Sequence, residues 1–440
     1  MTGSDTICAL ASGTPPAALA VLRISGPNTQ SIAVKLLKKG LPRPRHTTLD
    51  RLVAPGGETI DEVLAVFMAG PHSFTGQDVL ELTVHGGSII VERTLNAICE
   101  NGARLAEPGE FTRRAFEAGR LDLTQAEAIA DLIDAESEAQ LGQALKQYDG
   151  ALGDIYANWR ERLTQILALL EASIDFPDEE DAPETVDAPS LRLLSELQDA
   201  LQDALAAGHV SERIRDGFRV AILGAPNAGK STLLNQLAGR EAAIVTDIPG
   251  TTRDVVEVRL RLGGYLVWFM DTAGLRDTTD PVEQEGVRRA KQAAQEADLR
   301  LWVYDAVNGS PPDTKPGPKD ILVANKLDLT GKISVSRETL SVSAKAGTGV
   351  SAVIDRVKQA ITMIGTSAPA PIITRARHRQ GVLAALVSLD EAVEQIEQNK
   401  GAEFAAESVR RAAQSLASLT GDVHTEAVLG AVFSQFCIGK

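Results

Sequence analysis

The chain has 440 residues, which at about 150 residues per domain leaves room for roughly three domains. Hydrophobic residues make up 44% and charged residues 23%, the balance of a globular protein with an ample core rather than a disordered or membrane-embedded one. The formal net charge of −15 disfavours a general nucleic-acid binder and leaves RNA only a local basic patch. Cys8, Cys99 and Cys437 have no paired spacing, which fits a reducing cytosol and excludes a zinc ribbon. No run approaches the ~20 apolar residues of a membrane span, and no basic-then-apolar leader opens the chain. A cytoplasmic location without a membrane partner is therefore expected.

Residues 1–118 read as a small α+β domain. Strands are expected over 17–27, 62–68 and 79–87, the last with clear alternation. A helix is expected over 89–101, stopped by Gly102 at a C-cap position. Arg23 and Glu81 are charged residues inside apolar strands. The residues alone place them on a solvated face.

Residues 119–216 read as helical. Thr124-Gln125-Ala126-Glu127 has the form of a capping box ahead of Ile129, Leu132 and Ile133. Leu163, Ile166, Leu167, Leu170 and Ile174 recur at helical spacing. The acidic, Pro-containing stretch 175–189 reads as a loop, and Leu194, Leu197, Leu201 and Leu205 begin another amphipathic helix. After a linker at 365–371, helices resume around Val382, Leu386, Leu389, Val393 and Ile396. A last one follows around Val409, Ala412, Leu416 and Leu419. The simplest organisation is one helical domain, 119–216 and 371–440, into which a nucleotide-binding domain, 217–370, is inserted. Short helices are marginal alone, so the two halves should pack together.

The inserted stretch carries the chemistry. Gly224-Ala225-Pro226-Asn227-Ala228-Gly229-Lys230-Ser231 matches the phosphate-binding loop, G-x-x-x-x-G-K-[ST]. An apolar strand, 218–223, precedes it. A helix follows, with Leu233, Leu234 and Leu237 on one face. Glycines let the backbone N–H groups of Asn227 to Thr232 approach phosphate oxygens, and the helix N-terminus adds positive potential. Lys230 would bridge the β- and γ-phosphates, and Ser231 would bind Mg²⁺. Next comes Asp271-Thr272-Ala273-Gly274, with Asp271 behind the Mg²⁺ and the Gly274 N–H near the γ-phosphate. Asn325-Lys326-Leu327-Asp328 follows. The Asp328 carboxylate can accept from guanine N1–H and N2–H₂, a pair that adenine lacks, so GTP is selected. Ser343-Ala344-Lys345 supplies the base-contacting turn. Leu275 stands where Ras-type enzymes place a water-orienting Gln, so the catalytic group must lie elsewhere. Asn227, with carbonyls of the switch stretch 246–254, can form a cage for a monovalent cation that offsets charge between the phosphates.

Over essentially its full length the chain resembles the MnmE (TrmE) family of tRNA-modifying GTPases. The resemblance is carried by 224–231, Gly250-Thr251-Thr252-Arg253-Asp254, Asp271 to Arg276, Asn325 to Asp328, the run from Arg113 to Asp134, and the terminus Cys437-Ile438-Gly439-Lys440. It implies a multidomain α/β + α protein: a Ras-like P-loop GTPase domain inserted in a helical domain, behind an N-terminal α+β folate-binding-like domain. That first domain would mediate homodimerisation and hold a 5-formyltetrahydrofolate-like ligand, its contacts mapping onto Arg23, Glu81, Arg120 and Lys440. The potassium site maps onto Asn227, Thr246, Ile248 and Thr251, and Mg²⁺ onto Ser231 and Thr252. Thr246 and Thr251 also join the GTP contacts with Thr272 and Ala273. The catalytic carboxylate maps onto Glu283, which by its residues alone reads as an ordinary charge in an exposed acidic segment.

The resemblance also implies an FAD-containing MnmG-type partner in a heterotetramer. The two would add an aminomethyl-type group (aminomethyl or carboxymethylaminomethyl) to C5 of the wobble uridine of certain tRNAs, using a folate one-carbon unit. Cys437 is the candidate for redox or one-carbon chemistry. Candidate RNA contacts are Arg113, Arg114 and Arg120, or Arg375, Arg377 and Arg379. The competing function is a GTP-switched ribosome or RNA assembly factor without modification chemistry, which would need neither the C-terminal motif nor Arg23 and Glu81.

Overall fold

A computed structural model describes residues 5–175, 187–239, 243–244, 257–271, 295–308, 317–329, 338–366, 373–423 and 426–439. The chain forms two compact units. One comprises 1–133, 147–197 and 381–440; the other comprises 134–146 and 198–380.

The first unit opens with β1 (Thr6–Leu10), β2 (Leu19–Ser25), α1 (Thr29–Leu36), β3 (Thr48–Val53), β4 (Thr59–Met68), β5 (Val79–His85), α2 (Ser88–Glu100) and β6 (Ala103–Leu105). The strands make one sheet in the order β3-β4-β5-β2-β1-β6, antiparallel except for the β1–β6 pair. Alternation sorts its faces. Ala20, Leu22, Ile24, Val63, Ala65, Phe67, Leu80, Leu82 and Val84 point to one side. There they share a core with Ile32, Ala33 and Leu36 of α1 and Val91, Ala97 and Ile98 of α2. Each of the larger side chains among them contributes about 1.5–3 kcal/mol by leaving water. Arg23 and Glu81 fall on the opposite face of β2 and β5 and are direct cross-strand partners. The strands expected at 17–27, 62–68 and 79–87 are β2, β4 and β5. The short β1, β3 and β6 and helix α1 were not anticipated.

α3 (Glu110–Glu117) and α4 (Leu123–Asp134) lead into the helices. The capping box lies two residues upstream of its expected place. Asp122 Oδ1 accepts from the Gln125 N–H at 2.8 Å, while Gln125 Oε1 accepts from the Asp122 N–H at 3.0 Å. Thr124 is inside the helix and donates its hydroxyl to Asp122. A carboxylate at the cap also suits the positive helix end. α5 (Glu138–Tyr148) is followed by α6 (Ala151–Asp175) and α7 (Asp187–Asp216). Helix therefore begins within the stretch expected to be loop up to 189. Beyond the second sheet come α10 (Ala376–Glu397), α11 (Ala402–Thr420) and α12 (Glu426–Phe433).

Leu163, Ile166 and Leu170 of α6 and Val409, Ala412, Leu416 and Leu419 of α11 are buried where the two helices pack together. Helices that precede and follow the second sheet in sequence thus pack on each other. The unanticipated α12 sets Phe433 against Phe116 of α3 (ring centroids 6.3 Å apart) and into a small core with Leu123, Ala126, Leu429 and Phe436.

The second unit holds β7 (Phe218–Leu223), α8 (Lys230–Ala238), β8 (Ala243–Ile244), β9 (Glu257–Leu262), β10 (Tyr265–Asp271), β11 (Leu299–Asp305), β12 (Asp320–Asn325), β13 (Thr339–Ser341) and α9 (Val350–Thr366). The sheet order is β13-β12-β11-β7-β10-β9-β8, parallel from β13 to β10 and antiparallel beyond. Its central strands are near-continuous apolar runs because helices cover the sheet. Val220, Ile222, Phe269, Leu301 and Val323 meet Leu233 and Leu237 of α8 and Val353, Val357 and Ile361 of α9 in one core. α9 runs to Thr366, so the expected linker at 365–371 begins inside a helix.

Candidate functional site

The second sheet presents its polar groups where parallel strands end, the position at which open α/β sheets bind ligands. Gly224 follows β7, Asp271 ends β10, Asp305 ends β11 and Asn325 ends β12. Gly224 has φ +146°, and a Cβ there would stand 1.9 Å from the Val303 carbonyl oxygen. No other residue lets the loop pass so close to β11. Asn227 also has positive φ (63°) and is exposed at the loop tip with Ala225 and Pro226.

Lys230 opens α8 and is 9% exposed. Its Nζ donates to the carbonyls of Gly224 (2.9 Å) and Ala225 (3.0 Å), so it lies across the cradle of its own loop. Burial pushes its ammonium below the ordinary lysine range, and the Asp271 carboxylate acts in the opposite sense. The Ser231 hydroxyl donates to Asp271 Oδ2 at 2.7 Å. Asp271 Oδ1 is buried and has no hydrogen-bond partner among the described residues. An unpartnered buried carboxylate oxygen is costly. A Mg²⁺ held by Ser231, with its hydration water on Asp271, would satisfy it. The donor set therefore fits the ion. Thr232 is exposed on the first turn of α8.

Asn325, 2% exposed, ties the loops together. Its Nδ2 donates to the Ala228 carbonyl (2.8 Å), and its Oδ1 accepts from the Ala344 N–H (2.9 Å). Lys326, at φ +68°, reaches Asp305 Oδ2 at 2.9 Å. That contact, with the Val307 and Asn308 N–H groups, lowers the Asp305 carboxyl to about 2. Asp305 was not anticipated, and its strand-end position was the signal for it. Asp328 is exposed, and its Oδ1 accepts from the Ser343 hydroxyl at 2.7 Å. Lys345, two residues after Ser343, is exposed. The phosphate loop, the Asn325 motif and the Ser343 turn are thus one hydrogen-bonded assembly. Thr246, Ile248, Thr251, Thr252, Thr272, Ala273, Gly274, Leu275, Glu283 and Lys440 lie outside the described residues.

A second polar constellation occupies the first unit. Arg23 Nε donates to Glu81 Oε1 at 2.8 Å, and Nη2 lies 2.8 Å from the same oxygen. The pair is half-buried, and the Arg23 guanidinium lies 5.6 Å from the Phe74 ring centroid and 5.7 Å from that of Phe111. Desolvation and the ring faces strengthen such a pair. The solvated face expected from the residues alone is therefore corrected.

Phe74 belongs to the turn 73–77, anchored by Ser25 Oγ on Thr75 Oγ1 at 2.7 Å. On the far side of that turn a Cβ at Gly76 would stand 3.9 Å from Arg120 Cγ. Arg120 itself lines a cavity of about 700 Å³ with Phe116, Asp122, Gln125, Asp422 and Leu429. The C-terminal tail lies against β1 and the segment before α3. Ile438 forms a β-bridge to Pro108, just before α3. Gly439 (φ +98°) lies so close to β1 that a Cβ would meet the Leu10 carbonyl oxygen at 2.1 Å. Cys437 beside them is exposed.

Three of the arginines offered for RNA are engaged within the chain. Arg114 is 5% exposed and bonded to Asp5, Gln77 and Glu110. Arg113 pairs with Glu117 and Glu426, and Arg379 with Glu212.

A phosphate loop at a strand end, a Ser–Asp pair beside it and an N-K-x-D turn locked to the loop define a Ras-like P-loop GTPase. Comparison with known proteins narrows the class. The model of the GTP-binding protein TrmE N-terminus matches residues 6–120, and that of the MnmE helical domain matches residues 123–437. A tRNA modification GTPase MnmE of Hyphomonas neptunium is 52% identical, covering 100% of both chains. Those of Phenylobacterium zucineum and Caulobacter vibrioides are each 48% identical, covering 99% of this chain and 100% of their own. The chain belongs to the MnmE (TrmE) family.

Proposed function

We propose that the chain is a K⁺-stimulated GTPase acting in tRNA modification. With a flavoprotein partner of the MnmG type it adds an aminomethyl-type group to C5 of the wobble uridine, drawing on a folate one-carbon unit. The observation that carries this is the coincidence, in one chain of this family, of the locked nucleotide loops with the Arg23–Glu81 pair and the tail laid on β1.

Residues 1–118 form the folate-binding and dimerisation domain, 119–216 and 371–440 the helical domain, and 217–370 the GTPase domain. The protein works in the cytoplasm as a homodimer within the heterotetramer. Lys230 leaves its loop carbonyls for the β- and γ-phosphates, and Asp328, steered by Ser343, selects guanine. Mg²⁺ at Ser231 and Thr252, and K⁺ at Asn227, Thr246, Ile248 and Thr251, supply charge compensation when bound. Glu283 orients the attacking water in place of the missing Gln. Arg23, Glu81, Arg120 and Lys440 hold the folate, and Cys437 serves the transfer chemistry.

GTP hydrolysis by the purified chain in matched KCl and NaCl tests the cation cage, with Asn227→Ala alongside. At least tenfold stimulation by K⁺, lost in the variant, is expected. Equal rates in both salts would sink the cage and point to an arginine supplied by another protein.

A further inference from the structure

Many of the surface cations of this chain are paired. Arg93 meets Glu58, Arg104 meets Asp5 and Glu110, and Arg410 meets Glu171 and Glu407. One stretch differs. Between residues 35 and 51 stand Lys35, Lys38, Lys39, Arg43, Arg45 and Arg51 against the single acid Asp50. Six positive charges less one negative give +5, in a chain of net −15.

Asp50 does not neutralise this surface. It is 4% exposed and spends its oxygens on backbone, accepting from the Lys39 N–H at 2.9 Å and the Arg51 N–H at 2.7 Å. All six cations are exposed. Among the described residues none of them forms an ion pair. Lys39 Nζ donates to the Leu49 carbonyl at 2.8 Å, and Arg45 donates to the His72 carbonyl. Neutral acceptors leave both charges whole. Glu62 is the cross-strand partner of Arg51 and the one acid facing the group from β4.

The backbone makes this stretch one ridge. Leu37 bridges to Leu52, the Lys38 N–H donates to the Arg51 carbonyl at 3.1 Å, and the Arg45 N–H donates to the Phe67 carbonyl at 2.8 Å. The end of α1, the connecting loop with Pro42 and Pro44, and the edge strand β3 are thereby held together. Cations on a backbone already ordered lose less freedom on binding.

Edge strands often carry a charge to block edge-to-edge pairing, but of the six only Arg51 lies on β3. A membrane anchor would need an apolar helix face beside the charges. The apolar face of α1, Ile32, Ala33 and Leu36, is buried in the core.

We propose that this ridge docks the phosphate backbone of tRNA. The inference rests on tRNA being the substrate, as proposed above. It adds where the duplex backbone sits: on the ridge formed by the end of α1, the loop after it and the start of β3. Each phosphate neutralised releases counterions, so affinity there falls with salt by a logarithmic slope of about 0.7–0.9 per contact.

The test is binding of the full chain to an unmodified tRNA transcript across KCl concentrations, with Lys38→Glu, Lys39→Glu, Arg43→Glu and Arg45→Glu combined. A neutral set with Gln at the same four positions guards against misfolding by charge reversal. At least tenfold weaker binding is expected at about 0.1 M salt, with a slope shallower by about 3. GTP hydrolysis and the melting temperature should be unchanged. Affinity within twofold of wild type and an unaltered slope would overturn the proposal. So would lost binding to phosphatidylserine vesicles with tRNA binding intact, which would assign the ridge to a membrane. If the unaltered chain fails to bind the transcript at all, the tRNA substrate itself falls, and the ridge proposal with it.

Discussion

In the seven-stranded sheet the polar groups sit at the ends of parallel strands, each one step from a buried apolar run. In the six-stranded sheet they stand on the face of antiparallel strands opposite α1 and α2, Arg23 on β2 against Glu81 on β5. In the first arrangement each motif is local in sequence, with loop and helix entry contiguous, and Asn325 joins the motifs through two hydrogen bonds. The second is assembled from distant parts. Residues 23 and 81 meet across strands, Phe74 and Phe111 flank the guanidinium, and the tail at Ile438 and Gly439 arrives from the far end of the chain. The contrast teaches that a strand-end site can be altered one loop at a time, whereas a strand-face site depends on register.

If the strand-end site is the hydrolytic one, Lys230→Ala should show the largest effect. Among the described residues its ammonium hydrogen-bonds only to loop carbonyls, so folding should survive while the GTP hydrolysis rate falls about 10³-fold, as when other transition-state charge donors are removed. A fall of less than tenfold would detach the loop from catalysis. Asn325→Ala should act on stability instead. It leaves the Ala228 carbonyl and the Ala344 N–H unpaired in a buried place, costing about 2–4 kcal/mol, read by denaturant unfolding of the nucleotide-binding unit. An effect under about 0.5 kcal/mol would mean that the loops hold together without it.

The smallest effect concerns acid. Burial alone would raise the carboxyls of Asp5 and Glu110, but hydrogen bonds from Arg104 and Arg114 outweigh it and hold both below their ordinary values. Their stabilisation is therefore complete above the unfolded carboxyl pKa and is lost as pH falls through the lower folded values. Melting of the first unit should be flat from pH 7 to about 5 and decline below about 4. Arg104→Ala should flatten that decline at a cost of about 1 kcal/mol, since the pair is half-exposed. Identical acid profiles for the two proteins would remove the network from the stability of this unit.

These differences explain what could be read from the residues. The strand 218–223 and the turns at 325–328 and 343–345 were legible because motif, spacing and apolar run coincide within a few residues. The pair formed by Arg23 and Glu81 was not, since a charge in an alternating strand looks solvated until its cross-strand neighbour is known. α12 escaped notice because Ala427, Gly430 and Ala431 give it little amphipathic signal. The cap at Asp122 was displaced to Thr124 because both residues open similar capping patterns, and only the carboxylate's reach to the Gln125 N–H separates them. The basic ridge at 35–51 was not among the RNA candidates read from the residues, because what sets it apart, cations without ion pairs among the described residues, is a property of the fold.

The most direct measurement is nucleoside analysis of tRNA from cells lacking their own family member and supplied with this chain, with Lys230→Ala, or with Arg23→Ala, alongside GTP hydrolysis by each purified protein. With both sites serving one reaction, the wild-type chain restores the wobble modification. Lys230→Ala then loses hydrolysis and modification together, and Arg23→Ala keeps hydrolysis within about twofold while modification is lost. Full modification by Arg23→Ala would contradict a role for the strand-face site in the reaction.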